Sequence, residues 1–146
     1  MDKPKVLFLC SGNSARSQMA EAILRAYAGD RFDVYSAGLE PKGIHPLTIR
    51  VMTERGISLE NQYSKALTEY MGKVNFDWLI TVCDKADKNC PFFPGMGTRL
   101  HWSFKDPASA MGTEEEQLIK FRQVRDAIEE KIKSWWAEFE LLHSVY

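Results

Sequence analysis

A long apolar run is the first thing missing from this sequence. Near the N-terminus the longest stretch, Val6-Leu7-Phe8-Leu9-Cys10, is too short for the core of a signal peptide or for a membrane span. The expected location is therefore the cytoplasm, with no membrane partner. An excess of one sign of charge is missing too. Nineteen Lys plus Arg face 20 Asp plus Glu, a formal net charge of −1 with no basic stripe, which argues against nucleic acid as a partner. Cysteine is scarce: three residues cannot all pair within one chain, and cytoplasmic thiols are normally reduced. A structural disulfide framework is not expected, and any disulfide should be transient and chemical. His45, His101 and His143 have no partner at i, i+4 and no Cys/His spacing of a zinc site. They read as structural or surface residues, and no metal is expected.

What is present is a globular composition. The chain has 146 residues, 45% hydrophobic and 27% charged, which suits one domain over residues 1–146 and removes the disordered, collagen-like and coiled-coil classes. Residues 5–9 are β-prone and run into a polar loop, after which Met19, Ile23 and Ala26-Tyr27 recur at helical spacing until Gly29-Asp30. A second strand is expected at 33–37, a helix at 47–54 closed by Gly56, and a weaker helix at 66–73. Residues 77–82 form the most apolar strand candidate and end at Cys83, as the first strand ends at Cys10. Residues 84–97, charged and then rich in Pro, Phe and Gly, read as a mobile excursion outside the core. A fourth strand is expected at 99–102. Thr113 with Glu116 forms a capping-box pattern, and Leu118, Phe121, Val124, Ile128, Ile132, Trp135 and Phe139 form one helical face behind it. Strands alternating with helices indicate an α/β fold with a parallel sheet, in which ligands sit beyond the carboxyl ends of strands. Cys10 and Cys83 are thus candidates for one site.

The segment Cys10-Ser11-Gly12-Asn13-Ser14-Ala15-Arg16-Ser17 places a thiol and a guanidinium at the two ends of a loop, in the pattern C-x5-R. If the loop curls over the start of a helix, its backbone N–H groups converge into an anion nest, aided by the helix dipole. Arg16 adds a planar fork suited to a tetrahedral oxyanion. The same positive potential favours a thiolate, so Cys10 is expected to be a nucleophile. A nucleoside-triphosphate loop, G-x-x-x-x-G-K-[ST], is absent: the segment has one glycine and no lysine.

With these residues in view, the chain resembles the low-molecular-weight protein tyrosine phosphatase family and, within it, the three-cysteine arsenate reductases. The resemblance rests on C-S-G-N-S-A-R-S-Q-M-A-E at 10–21, Ser36-Ala37-Gly38, V-C-D-K-A-D-K-N-C-P-F-F-P at 82–94, H-W-S-F-K-D-P at 101–107 and F-R-Q-V-R-D at 121–126. It implies a four-stranded parallel sheet in order 2-1-3-4 with helices on both faces, which sets the first and third strands side by side. Residues just past their ends then come within disulfide reach, making Cys10 and Cys83 partners. Cys90 lies seven residues beyond Cys83. Were the intervening segment helical, the two would stand about 10 Å apart, and a Cys83–Cys90 bridge would require it to unwind.

The mechanism so implied starts with arsenate in the loop of Ser11, Gly12, Asn13, Ser14, Ala15, Arg16 and Ser17, with phosphate or sulfate as competing oxyanions. Cys10 attacks arsenic and Asp106 is the general acid, although Asp-Pro is also a common turn pair. Cys83 then expels arsenite by attacking Cys10, Cys90 attacks Cys83, and thioredoxin reduces the resulting disulfide; no bound cofactor is expected. Opening of the segment would expose Phe92 and Phe93 for docking, although aromatics there more often belong to the core. Asn13 and Ser17 resemble the family residues that orient the loop and hydrogen-bond the thiolate. Asn13, Glu21 and Ser36 resemble part of a potassium site seen in some members, but Lys65 stands where an aspartate completes it. The Lys65 ammonium is expected in the cation's place.

Two other functions compete. A phosphomonoester hydrolase would use the same loop and Asp106 to form and hydrolyse a cysteinyl-phosphate, leaving Cys83 and Cys90 idle. Against a tyrosine phosphatase stands Ala108, where such enzymes tend to carry an aromatic that stacks on the substrate ring. A noncatalytic anion sensor would need neither a general acid nor a resolving thiol.

Overall fold

Strand β1, Lys5–Cys10, is apolar on both faces, and Val6 to Cys10 are all buried, as a central parallel strand covered on each side must be. The structure, a computed structural model, describes residues 2–143. β1 pairs in parallel with β2 (Asp33–Gly38) on one side and with β3 (Trp78–Thr81) on the other, and β4 (Thr98–His101) pairs in parallel with β3. The order is β2-β1-β3-β4, as the resemblance implies. Register places Cys10 opposite Gly38 and Leu9 opposite Thr81, so both cysteine-bearing strand ends open on the same edge.

Helix α1 (Arg16–Ala28) packs on β1 and β2 and against the long helix α4 (Glu114–His143), which also covers α2 (Pro46–Thr53). The start of α4 carries the expected reciprocal cap. Glu116 N donates to Thr113 Oγ1 at 3.2 Å, and Thr113 N donates to Glu116 Oε1 at 3.2 Å. Its apolar face is buried through Leu118, Phe121, Val124, Ile128 and Ile132. The later turns lock onto the foot of the sheet through Phe32, whose ring centroid lies 4.9 Å from Phe139 and 5.5 Å from both Trp135 and Trp136. The side chain of His143 and residues 144–146 lie outside the described part of the chain. Among the described residues no helix is long and apolar enough to cross a membrane.

Two expectations need correction. Residues 66–73 hold only a single 3-10 turn, Leu67–Glu69. Ala66 is drawn into an extended bridge with Gly38, and Gly72 adopts a φ of 77°, so neither end continues a helix. Residues 84–97 are not an excursion outside the core. They begin with helix α3 (Asp84–Asn89) and then bury Cys90, Phe93 and Met96, while Phe92 stays 88% exposed. The return is held by backbone bonds, Phe76 N to Gly95 O at 2.7 Å and Thr98 N to Asp77 O at 2.9 Å. At Gly97, whose φ is 69°, a Cβ would run into the carbonyls of Phe76 and Asp77.

Helices α2 and α4 are joined by Glu54, whose carboxylate accepts from Arg122 Nε at 3.0 Å and Arg125 Nη1 at 2.9 Å. The Arg122 hydrogen bonds, opposed by partial burial and helped by Arg125, hold this carboxyl down from 4.5 to about 2. A carboxyl depressed on folding adds stability that is complete above its unfolded value and lost as pH falls through its folded one. We expect Glu54→Gln to reduce the acid sensitivity between pH 4.5 and pH 2, the remainder belonging to Asp84, Asp87 and Asp126, whose carboxyls are also held down. Urea midpoints of both proteins across that window check it, and parallel curves would refute it.

Candidate active site

The loop between β1 and α1 is shaped by a strap that holds its carbonyls outward. Cys10 O accepts from Leu39 N at 3.2 Å, Ser11 O from Glu40 N at 2.8 Å, Gly12 O from Lys42 N at 2.9 Å and Ser14 O from His45 N at 3.0 Å. In a planar trans peptide the next N–H points opposite to the carbonyl. The amides of Ser11, Gly12, Asn13 and Ala15 are therefore turned away from the strap, and for Asn13 that side is the sulfur of Cys10. Asn13 N confirms the direction, donating to Cys10 Sγ at 3.2 Å. The strap approaches so closely that β2 must end in glycine: a Cβ on Gly38 would lie 2.7 Å from Ser11 O and 2.8 Å from Asn13 N.

Beneath the sulfur lies a fully buried polar network centred on Asn13, which takes a positive φ of 47°. Asn13 Nδ2 donates to Ser17 Oγ at 2.8 Å and to Ser36 Oγ at 3.0 Å. Both hydroxyls accept there, so each is free to donate onward, Ser36 to Glu21 Oε1 at 2.5 Å and Ser17 to Cys10 Sγ at 2.8 Å. Asn13 Oδ1 accepts from Gln18 Nε2 at 2.9 Å and Lys65 N at 2.9 Å, which fixes the amide's orientation. Two hydrogen-bond donors, Asn13 N and the Ser17 hydroxyl, are thus aimed at Cys10 Sγ.

The Lys65 ammonium stands among the oxygens of this network. Nζ lies 2.7 Å from Tyr63 O, 3.4 Å from Ser36 Oγ, 3.5 Å from Asn13 Oδ1 and 3.8 Å from Glu21 Oε1. Burial pushes its titration below the ordinary lysine value, and the Glu21 carboxylate opposes that shift. A potassium ion does not fit these residues, because a side-chain cation already occupies the space between their oxygens.

Above the sulfur opens a cavity of about 500 Å³ whose lining includes Cys10, Arg16, Lys42, Cys83, Lys85 and Asp106. Arg16 opens α1 and is held by Phe104 O at 3.0 Å, with Asp106 Oδ2 3.8 Å from its Nη2. Asp106 precedes a 3-10 turn, Pro107–Ser109, and its Oδ1 accepts from Ala108 N at 3.0 Å. The turn role and a place at the cavity coincide in one residue. Cys83 caps α3, its Sγ accepting from Ala86 N at 3.4 Å and lying 3.5 Å from Ser11 Oγ. Cys90 sits at the other end of α3, where burial pushes its thiol up and the nearby Arg99 charge partly offsets that.

The structure therefore gathers Cys10, Ser11, Gly12, Ser14, Ala15, Arg16, Cys83 and Asp106 around one cavity. Asn13 and Ser17 lie below the sulfur, fully buried, and Cys90 stands apart from the cavity lining. Lys42 and Lys85 were not singled out from sequence. The stem of Lys42 lies across Gly12, 3.4 Å from where a Cβ would be. His45 is structural: its Nδ1 accepts from Leu47 N at 3.1 Å at the start of α2, and its own N–H ties Ser14.

A family model described as low molecular weight phosphotyrosine protein phosphatase matches residues 5–143. The arsenate reductase of Halalkalibacterium halodurans is 44% identical over 135 residues, covering 92% of this chain and 96% of that protein. Among solved structures, an arsenate reductase in the phosphate binding state aligns with a TM-score of 0.78 and 30% identity, over 92% of this chain and 98% of that one. The thioredoxin-dependent arsenate reductase of Corynebacterium glutamicum aligns with a TM-score of 0.71 and 29% identity, over 95% of this chain and 63% of that one.

A hydrogen bond to a charged group contributes about 1.5 kcal/mol or more, equivalent to at least a tenfold change in a rate that depends on it. Ser17→Ala is expected to slow alkylation of Cys10 by iodoacetamide at pH 7 about tenfold, with the fold retained. Rates matching the unsubstituted protein, read by peptide mass mapping, would show that the hydroxyl does not act on the sulfur.

Proposed function

The chain belongs to the low molecular weight phosphotyrosine protein phosphatase family, and on that premise we propose that it reduces arsenate to arsenite through thiols at Cys10, Cys83 and Cys90, with thioredoxin as electron donor. The observation that carries the reading is a second thiol, Cys83, lining the oxyanion cavity and lying within reach of the Ser11 hydroxyl. Phosphate-ester hydrolysis has no use for that thiol. The named relatives that are arsenate reductases, one of them thioredoxin-dependent and one solved in a phosphate binding state, support the same substrate class.

Arsenate is held by the loop amides and the Arg16 guanidinium, which suit a tetrahedral oxyanion. The Cys10 thiolate attacks arsenic, and Asp106 protonates the oxygen that departs as water, leaving a sulfur–arsenic bond with arsenic still at +5. The Cys83 thiolate then attacks Cys10 Sγ. A disulfide forms, the sulfur–arsenic bond breaks with its electron pair passing to arsenic, and arsenite leaves at +3. Two thiols have been oxidised and one arsenic reduced. Cys83 Sγ accepts from Ala86 N and lies 3.5 Å from Ser11 Oγ, contacts that hold the sulfur at the edge of the loop carrying Cys10. Cys90 next attacks Cys83 Sγ and displaces Cys10 as a thiolate, and thioredoxin reduces the Cys83–Cys90 disulfide by thiol exchange.

Two variants separate the steps. Asp106→Asn should lower the rate of the first step about 100-fold, the lower end of what a general acid supplies, while arsenate still protects Cys10 from alkylation. Quenched single-turnover reactions check it, and an unchanged rate would remove Asp106 from the chemistry. Cys90→Ser should stop after one turnover with Cys10 and Cys83 joined, seen by peptide mass mapping, and should give no sustained arsenate-dependent NADPH oxidation with thioredoxin and its reductase. Sustained arsenate turnover by a protein lacking both Cys83 and Cys90 would overturn the relay, and rapid aryl phosphate hydrolysis without arsenate reduction would instead favour the cysteinyl-phosphate route.

A further inference from the structure

Helix α3 is six residues long and buries only Ala86 of its own residues, whereas an isolated helix needs roughly 12 to 15 residues to be even marginal in water. Its winding has to come from tertiary contacts, and those contacts are polar. Asp84 and Asp87, one turn apart on the same face, are gripped by side chains from β3, from β4 and from Ser103 just beyond it. Asp84 Oδ1 accepts from His101 Nε2 at 3.0 Å and from Ser103 Oγ at 2.9 Å. Asp87 Oδ1 accepts from Thr81 Oγ1 at 3.0 Å and from Arg99 Nη2 at 3.2 Å. The Arg99 guanidinium also donates to the main-chain carbonyl of Asp87, one of the last-turn carbonyls that the helix itself leaves without a partner. Thr81 Oγ1 and His101 Nδ1, 2.8 Å apart, join the two halves.

This clamp exists only while α3 is wound. Across a wound helix the Cys83 and Cys90 Cα atoms are about 10 Å apart, and a disulfide tolerates no more than about 7 Å. Forming the Cys83–Cys90 bond therefore unwinds α3 and breaks the clamp, and reducing the bond with two electrons and two protons lets both re-form. A contact made only in the dithiol state stabilises that state and raises the reduction potential of the pair.

We propose that Arg99 and His101 are positioning residues of the relay: by gripping Asp87 and Asp84 they hold the segment between Cys83 and Cys90 wound, and so make the Cys83–Cys90 disulfide easier for an external dithiol to reduce. The inference rests on the three-thiol reading above. Neither residue itself lines the substrate cavity; Arg99 grips Asp87, which lies outside the lining, whereas His101 reaches the lining through Asp84, so Arg99 is the cleaner probe of the resolving pair.

The test uses the full chain carrying Cys10→Ser, which isolates the pair, equilibrated in dithiothreitol redox buffers and scored by alkylation and mass mapping. Arg99→Met should shift the equilibrium about tenfold towards the disulfide, which is about 30 mV more negative for a two-electron couple. His101→Phe should shift it in the same direction, and Arg99→Lys, which keeps a charge and a donor, should recover part of the loss. In the reduced protein Arg99→Met should also speed hydrogen exchange at the amides of residues 86–90 while the sheet amides stay protected. If Arg99→Met fails to fold by circular dichroism, His101→Phe decides the matter. A disulfide that forms with the same potential in Arg99→Met and His101→Phe overturns the clamp and leaves the relay standing. Absence of any Cys83–Cys90 disulfide in every buffer overturns both.

Discussion

The peptide unit points its carbonyl and its N–H in opposite directions, and the functional loop is built on that constraint. Once residues 39–45 have tied the carbonyls of Cys10, Ser11, Gly12 and Ser14 to one side, the alternate side is left with converging donors. No lysine of the kind found in nucleotide loops is needed. The arrangement demands a near approach of two backbones, which is why β2 ends in Gly38, and a left-handed residue in the middle, which is Asn13. Asparagine tolerates that conformation better than most side chains and uses its amide to organise the layer beneath the sulfur.

That layer is closed on itself. Every hydroxyl and amide around Asn13 has a defined direction, from Lys65 and Gln18 through Asn13 to Ser17 and Ser36, and no buried side-chain polar atom among the described residues lacks a partner. A fully satisfied buried network is stiff, whereas a partly satisfied one is costly. The Lys65 ammonium, with Glu21 beside it, makes the positive charge of this layer part of the chain. α3, by contrast, is a short helix with little apolar burial and a polar clamp. Rigidity is concentrated under Cys10, and the rearrangement proposed above falls to the least apolar helix, between Cys83 and Cys90.

Much of this was legible in the residues, and the rest was not for identifiable reasons. The C-x5-R segment is a local signal, since seven residues contain both the thiol and the guanidinium and the flanking pattern marks strand and helix. The start of α4 was equally local, because Thr113 and Glu116 satisfy one another. Residues 66–73 misled because their apolar spacing is consistent with one helical turn, while the bridge from Ala66 to Gly38 that keeps the segment extended comes from a strand almost 30 residues away. Residues 84–97 misled in the other sense. Their Pro, Gly and charge content reads as loop, yet Phe93 and Met96 are core residues and α3 is wound by partners on β3 and β4.

By itself the sequence determined the alternation of strands and helices, the placement of the Cys10 thiol and the Arg16 guanidinium at the two ends of one loop, and the presence of two further thiols beyond a second strand end. Those properties depend on residues close together along the chain, where periodicity and spacing act directly. Only the tertiary structure decided which groups face which. It set the strap of residues 39–45 against the loop, placed the Lys65 ammonium between Asn13 and Glu21, brought Asp106 beside Arg16, and put Arg99 and His101 on α3. These pairings join segments separated by tens of residues, and their geometry exists only once the sheet order β2-β1-β3-β4 has brought distant backbones within hydrogen-bonding distance.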